Sequence, residues 1–179
     1  MSNLRLLNET SITSAVNSIS TTNVFTNDFQ VYQVTVTNLS SDSTSHSNAF
    51  LRLVNSSGSV VTSSHYDFAR LDMTESGSFG ELRGTSNSYM RYLAMATDQS
   101  PEVTALNYYI FEPFSSSSFT YVLQQASSAI ANVLRVGKGI GVLKRLSSIT
   151  GINIGLEDTS INLNSGDIRI YGVRINSWI

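Results

Sequence analysis

Four carboxylates, Asp67, Asp72, Glu75 and Glu81, fall in or beside one stretch rich in Gly and Ser. Paired acids at a fixed separation cleave glycosidic bonds, and several together hold calcium. Their spacing matches no EF-hand loop, and acids in such a setting are ordinarily solvated. The two histidines, His46 and His65, lie in different segments with no carboxylate at metal-ligand spacing, so a zinc site is not expected. No Gly-x-Ser-x-Gly elbow lifts a serine into a nucleophile's position. The run Gly137, Lys138, Gly139, Ile140, Gly141 invites comparison with a phosphate-binding loop. It lacks the required order of residues and no clear helix follows it, so it reads as a flexible entry to a strand. No catalytic residue, metal or cofactor is expected.

Aromatic side chains carry the remaining chemistry. Tyr66, Phe68, Tyr89, Tyr92, Tyr108 and Tyr109 cluster in or near apolar runs. Tyrosine beside Asn or Asp often lines a sugar groove, whereas its ordinary role in such runs is cross-strand packing. Strand parity sends one of Tyr108 and Tyr109 outward, and one of Tyr89 and Met90. Tyr66, Tyr89 and Tyr108, with Asp67 beside the first, are the expected surface contacts. Asn-x-Ser/Thr triplets begin at Asn8, Asn38 and Asn55, which chance supplies in a chain so rich in Ser and Thr.

Composition limits the partners. The chain has 179 residues, a formal charge of −2 and two lysines, Lys138 and Lys144. No basic field is available to hold a phosphate backbone, so nucleic acid is not an expected partner. Without cysteine there are no disulfides, and packing must hold the structure. No run approaches the roughly 20 apolar residues of a membrane span, and the first 16 residues lack the pattern of a leader. The chain is expected to be unprocessed and water-soluble, with no membrane insertion. Only 13% of residues are charged, about half the usual share. Ser, Thr and Asn occupy the solvent side instead, while 41% apolar residues argue for a packed core over disorder.

These residues must be positioned by strands. Residues 29–39 (FQVYQVTVTNL) set Tyr32, Val34 and Val36 on one face, against Gln33, Thr35 and Thr37. Residues 49–54 follow as a second strand, ended by a turn at 55–58, and 65–73 alternate loosely. Residues 74–88 read as a long loop or a short edge strand. The clearest central strands are 89–95 and 105–114, separated by a turn at Pro101. Residues 119–136 also fit a helical stripe through Val122, Ala126, Ile130 and Val133, with poor caps. Two strands, 119–124 and 129–136 split at Ser127–Ser128, are preferred, with 140–146 continuing the series. Residues 149–175 alternate between Gly-, Asn- and Ser-rich turns and read as an antiparallel hairpin. A β-bulge at Tyr171–Gly172 would explain the slip in its apolar phase. The expected fold is therefore all-β, a two-sheet antiparallel β-sandwich (jelly roll) over residues 26–179. Residues 1–25 are expected as an irregular N-terminal arm or a first edge strand.

Residues 147–176 resemble the C-terminal strands of small β-sandwich virion proteins of tailed bacteriophages. The matching elements are Ile149-Thr150-Gly151-Ile152, the turn Asn164-Ser165-Gly166, and Ile168-Arg169-Ile170-Tyr171-Gly172. Upstream, 32–38 (YQVTVTN), 50–53 (FLRL) and 55–58 (NSSG) are also similar. The likeness spans most of 29–176, with the C-terminal hairpin its specific part; residues 124–136 and the first 25 depart from it. It implies a jelly-roll virion component without enzymatic activity, either a capsid decoration (cement) protein or a fibre or spike tip. A compact chain without heptads or collagen-like repeats favours decoration. The expected partners are then the major capsid protein or other virion proteins. A homo-oligomer, trimer favoured over dimer, would sit on the capsid exterior after assembly in the host cytoplasm. As a tail tip, the chain would instead bind a host-surface glycan through Tyr66, Tyr89, Tyr108 and the acidic segment.

Overall fold

The computed structural model describes residues 3–96, 98, 103–130 and 133–174, in which all regular structure is β. The strands are β1 (Leu4–Ile12), β2 (Ser18–Thr21), β3 (Val31–Ser41), β4 (Ser47–Asn55), β5 (Tyr66–Thr74) and β6 (Phe79–Asn87). They continue as β7 (Met90–Ala96), β8 (Thr104–Phe111), β9 (Thr120–Ile130), β10 (Val133–Leu143), β11 (Ile149–Leu156) and β12 (Leu163–Val173). Two antiparallel sheets result, of eight strands (β1-β12-β3-β8-β9-β10-β5-β6) and four (β2-β11-β4-β7).

Setting aside β5–β6 and β9–β10 leaves the orders β1-β12-β3-β8 and β2-β11-β4-β7. That is the jelly roll, in which all but one of the connections within this set of eight cross from one sheet to the other. The two hairpins are insertions between β4 and β7 and between β8 and β11. They join through the β5–β10 ladder and widen one sheet only.

Alternation builds the core. In β3, Tyr32, Val34 and Val36 point inward and are fully buried, while Gln33 and Thr35 face out. Asn38 takes a left-handed conformation (φ 55°) where the pairing with β8 shifts register, and this extra residue returns Leu39 to the interior. Opposite them, Leu51 and Leu53 of β4 and Ile152 and Ile154 of β11 close the other layer.

Several sequence expectations are corrected. Residues 149–175 are not a hairpin, because β11 pairs with β4 and β2 while β12 pairs with β3 and β1 in the other sheet. Local alternation is the same whether a strand pairs with its sequence neighbour or crosses the sandwich. There is no bulge at Tyr171–Gly172, since β12 runs in continuous register from Asp167 to Val173 against β3. Gly172 keeps an inward position that a larger residue could not occupy: a Cβ there would lie 2.6 Å from the ring of Phe29, which fills that place in the core. The irregularity is on β1, between Leu6 and Asn8.

Residues 1–25, expected as an arm or an edge strand, supply an edge to each sheet, β1 and β2. Segment 74–88 contains a full nine-residue edge strand, β6. Strand β7 is an edge rather than central. Ser127 and Ser128 lie within β9, and 133–143 form one strand in which Gly137, Gly139 and Gly141 are interior positions rather than a flexible entry. The turn expected around Pro101 lies mostly outside the described residues.

Tyr66 and Tyr108, expected at the surface, are fully buried. Pairing between β4 and β7 ends at Leu51↔Met90, and beyond it the Leu53 amide donates to the Tyr66 hydroxyl (3.0 Å), which itself donates to the Val61 carbonyl (3.0 Å). Burial pushes this phenol up to about 12. Tyr66 thus supplies the acceptor a strand would have provided.

Two substitutions test this packing by denaturant midpoint. Tyr66→Phe leaves the buried Leu53 amide without its acceptor and is expected to cost about 1–3 kcal/mol. Gly172→Ala forces the Phe29 ring aside and is expected to cost about 1–3 kcal/mol; a change under a few tenths in either would contradict the arrangement.

Candidate interaction surfaces

The outer faces of the two sheets differ in kind. On the four-stranded sheet, Phe50 of β4 points outward, yet only 4% of it is exposed. Gly155 on the adjacent strand allows this, since a Cβ there would lie 2.6 Å from the Phe50 ring. The Arg52 guanidinium sits 4.3 Å from the Phe50 ring centroid and 5.4 Å from that of Tyr89, and the two rings lie 5.3 Å apart. Arg52 also donates from Nε to the Ser88 carbonyl (3.1 Å).

Beside this stack, Arg91 forms a close ion pair with Glu157, which also accepts a hydrogen bond from Asn48 Nδ2 (3.3 Å). The hydrogen bond to Glu157 pushes the Arg91 guanidinium further up. Burial first, and then the negative charge of Glu157, push the Tyr89 hydroxyl up. This cluster is self-satisfied: Arg91 and Glu157 are paired, and Arg52, bonded to the Ser88 carbonyl, covers the aromatic rings. A sugar stacking platform needs an uncovered ring, and Arg52 occupies that place.

The eight-stranded sheet presents the opposite arrangement. Its register places Tyr109, Leu123, Ile140 and Ala69 in one outward row across β8, β9, β10 and β5. A parallel row runs Val31, Phe111, Tyr121, Val142. Further along, Leu71, Met73 and Phe79 also face out, with Phe79 82%, Leu71 66% and Ile140 60% exposed. The face is concave: one groove of about 510 Å³ is lined by Phe111, Tyr121, Leu123, Ile140 and Val142, and a neighbouring one of about 570 Å³ by Ala69, Leu71, Leu123 and Ile140.

The inward face of the same inserted strands is mixed: Tyr66, Phe68, Val122, Ala126 and Leu143 join the core, and a polar set is enclosed beside them. Gln124 is 1% exposed, Thr120 and Ser128 are buried with it, and Arg70 and Asp72 pair at 3.3 Å. Large apolar residues therefore stand on both faces of these strands, which departs from the usual alternation of a half-solvated sheet.

Of the residues expected at the surface, Tyr66 and Tyr108 lie in the core, and Tyr109 is the outward member of its pair. Tyr89 is in the closed cluster, while the Tyr92 side chain lies outside the described residues. Asp67 accepts from Lys144 Nζ (2.7 Å) and from the Ser86 amide (2.8 Å), which hold its carboxyl below the usual range, the lysine foremost. It pins the bulge at Ser86 (φ 55°) in β6 rather than serving a pocket.

The four carboxylates do not converge. Asp67 and Glu81 face outward, Asp72 inward, and Glu75 accepts from the Leu134 amide (3.3 Å). Among the described residues, no group of three or more His, Asp or Glu side chains is placed to hold a metal. Sequence reasoning missed Ile140, Leu71 and Phe79 as a surface, because apolar residues in a strand pattern are first assigned to the core.

No family model matches the sequence, and no curated protein matches it. Among solved structures, the chain is similar to the CBM2 module of the evolved Dit of Lactobacillus casei BL23 phage J-1. Identity is 13% and the TM-score 0.27, over 90% of this chain and 71% of that one. A likeness at that level carries no weight for function.

Proposed function

We propose that this chain is a non-catalytic structural protein of a tailed-bacteriophage virion, a capsid decoration (cement) protein that works by adhesion. The observation that carries the adhesive part is the apolar outer face of the inserted hairpins, where Ile140, Leu71 and Phe79 stand in solvent. Side chains of that kind gain by docking, each about 1.5–3 kcal/mol when fully buried. A contiguous apolar face of this sort marks a protein contact site. The jelly-roll strand order and the resemblance of residues 147–176 to phage virion proteins support the virion setting.

In this reading the concave face receives a ridge of the major capsid protein or another shell component. The protein lies on the capsid exterior as a homo-oligomer and requires no cofactor. The glycan-binding alternative finds less support, because Arg52 covers the rings at Tyr89.

Purified protein added to undecorated shells of the phage that encodes it is expected to co-sediment with them. Ile140→Asp and Leu71→Asp, both at exposed positions, are each expected to weaken binding roughly ten- to a hundred-fold, the loss of one buried anchor. Undiminished binding by both variants would remove the sheet face from the model. Saturable binding to host polysaccharide with none to shells would replace the model with a tail-tip role.

A further inference from the structure

The inserted hairpins end in β6, whose single strand neighbour is β5. Its other edge carries unpaired backbone groups along a nine-residue strand, a template for a further strand. Natural edges are usually blunted by Pro, by lysine or by inward-pointing charge. None of these lies in β6, FGELRGTSN; its one blunting device, the bulge at Ser86, lies beyond Gly84, and its two charged residues, Glu81 and Arg83, both point outward. They are exposed and, among the described residues, form no ion pair.

Glu81 and Arg83 flank Leu82 by one residue on each side. If a second β6 runs antiparallel about a two-fold axis at Leu82, Glu81 falls opposite the Arg83 of the other copy, and Arg83 opposite its Glu81. Both pairs then lie on the same face of the joined sheet. Gly80 falls opposite Gly84 and adds no bulk, and Leu82 meets its own copy on the inner face, where it already packs against the core. The ladder ends at Phe79 on one side and at the register shift beyond Gly84 on the other.

We propose that two copies of this chain associate edge to edge through β6, in an isologous dimer whose register is fixed by reciprocal Glu81–Arg83 pairs. Opposite charges directly across an antiparallel pair stabilise it, and like charges there destabilise it. Of the two oligomers weighed from the sequence, this selects the dimer over the favoured trimer. It also sets the two concave apolar faces side by side on one surface of the joined sheet. It does not depend on what those faces dock.

The test is a charge swap read by sedimentation velocity, with circular dichroism verifying the β fold of each variant. Wild-type protein is expected at twice the 19.5 kDa chain mass. Glu81→Arg places arginine opposite arginine at both sites, and Arg83→Glu places glutamate opposite glutamate. Each is expected to weaken self-association by about tenfold or more. An equimolar mixture of the two single variants restores both attractive pairs and is expected to dimerise, as is the double variant E81R/R83E. A monomeric wild type, a trimeric mass, a dimer indifferent to either single substitution, or a mixture that stays monomeric would each overturn the proposal.

Discussion

The ladder between β5 and β10 holds the unusual part of this molecule together. It runs from Arg135↔Thr74 to Leu143↔Tyr66 and joins two hairpins inserted at separate places in the chain. Neither hairpin would be stable alone, since two-stranded units bury too little apolar surface to offset their ordering. Together, and continuous with β8 through β9, they extend a sheet that already rests on a core. The last register pair of the ladder, Leu143↔Tyr66, also sets the ring of Tyr66 in the interior, where its hydroxyl bridges Leu53 and Val61. The insertion and the jelly roll therefore share one anchor.

Strand pleating allows each residue only one of two faces, and this chain uses the two parities differently in its two parts. In the jelly roll, Val34, Ile110 and Ile170 face in and Gln33, Asn107 and Arg169 face out. In the inserted strands, β7 packs beneath β9, β10 and β5, and the inward residues combine the apolar Phe68, Val122 and Leu143 with small or polar ones: Thr120, Gln124, Ser128, Gly139 and Gly141. A Cβ on Gly139 would lie 3.2 Å from the Ala69 carbonyl and from Gln124 Oε1, so the chain is closely packed at that point. Further hydrophobic residues of the same strands, Leu123, Ile140, Leu71 and Met73 among them, stand on the outside. Their number and continuity separate this face from the scattered apolar residues any soluble surface carries.

The same parity explains what was legible in the sequence. Residues 31–37 and 168–170 show strict alternation with the apolar side buried, and both were readable as strands with the correct face inward. The all-β class and the two-layer sandwich follow from many such segments. Partner choice was not readable, because β11 and β12 alternate as a hairpin would and yet belong to different sheets. The stretch from Val122 to Val136 was ambiguous for a further reason. Its inward residues include Val122, Gln124, Ala126 and Ser128 and its outward ones Leu123 and Leu134, so apolar residues fall on both sides and gave no face to assign. Parity alone could send either Tyr108 or Tyr109 outward; the pairing of Tyr108 with Val34 and Gln124, all three buried, decides it.

The two outer faces also divide the work of the surface. On the smaller sheet, a large aromatic residue faces out and is then covered: Gly155 makes room for the Phe50 ring, Arg52 lies across it, and Glu157 ties Arg91 and Asn48 beside it. Rearranging that cluster to admit a ligand would separate a paired arginine and glutamate and uncover an aromatic ring at once. On the larger sheet no comparable cover exists among the described residues over Ile140, Leu71 or Phe79, and the charged residues Lys138, Glu81 and Arg83 share outward rows with Leu71 and Ile140. A face that is apolar at its centre and sparsely charged at its margin gains by losing water and is kept in orientation by those few charges. The closed cluster thus leaves little on its own surface for a ligand to engage, and the open concave face is the one that the proposed adhesion would use.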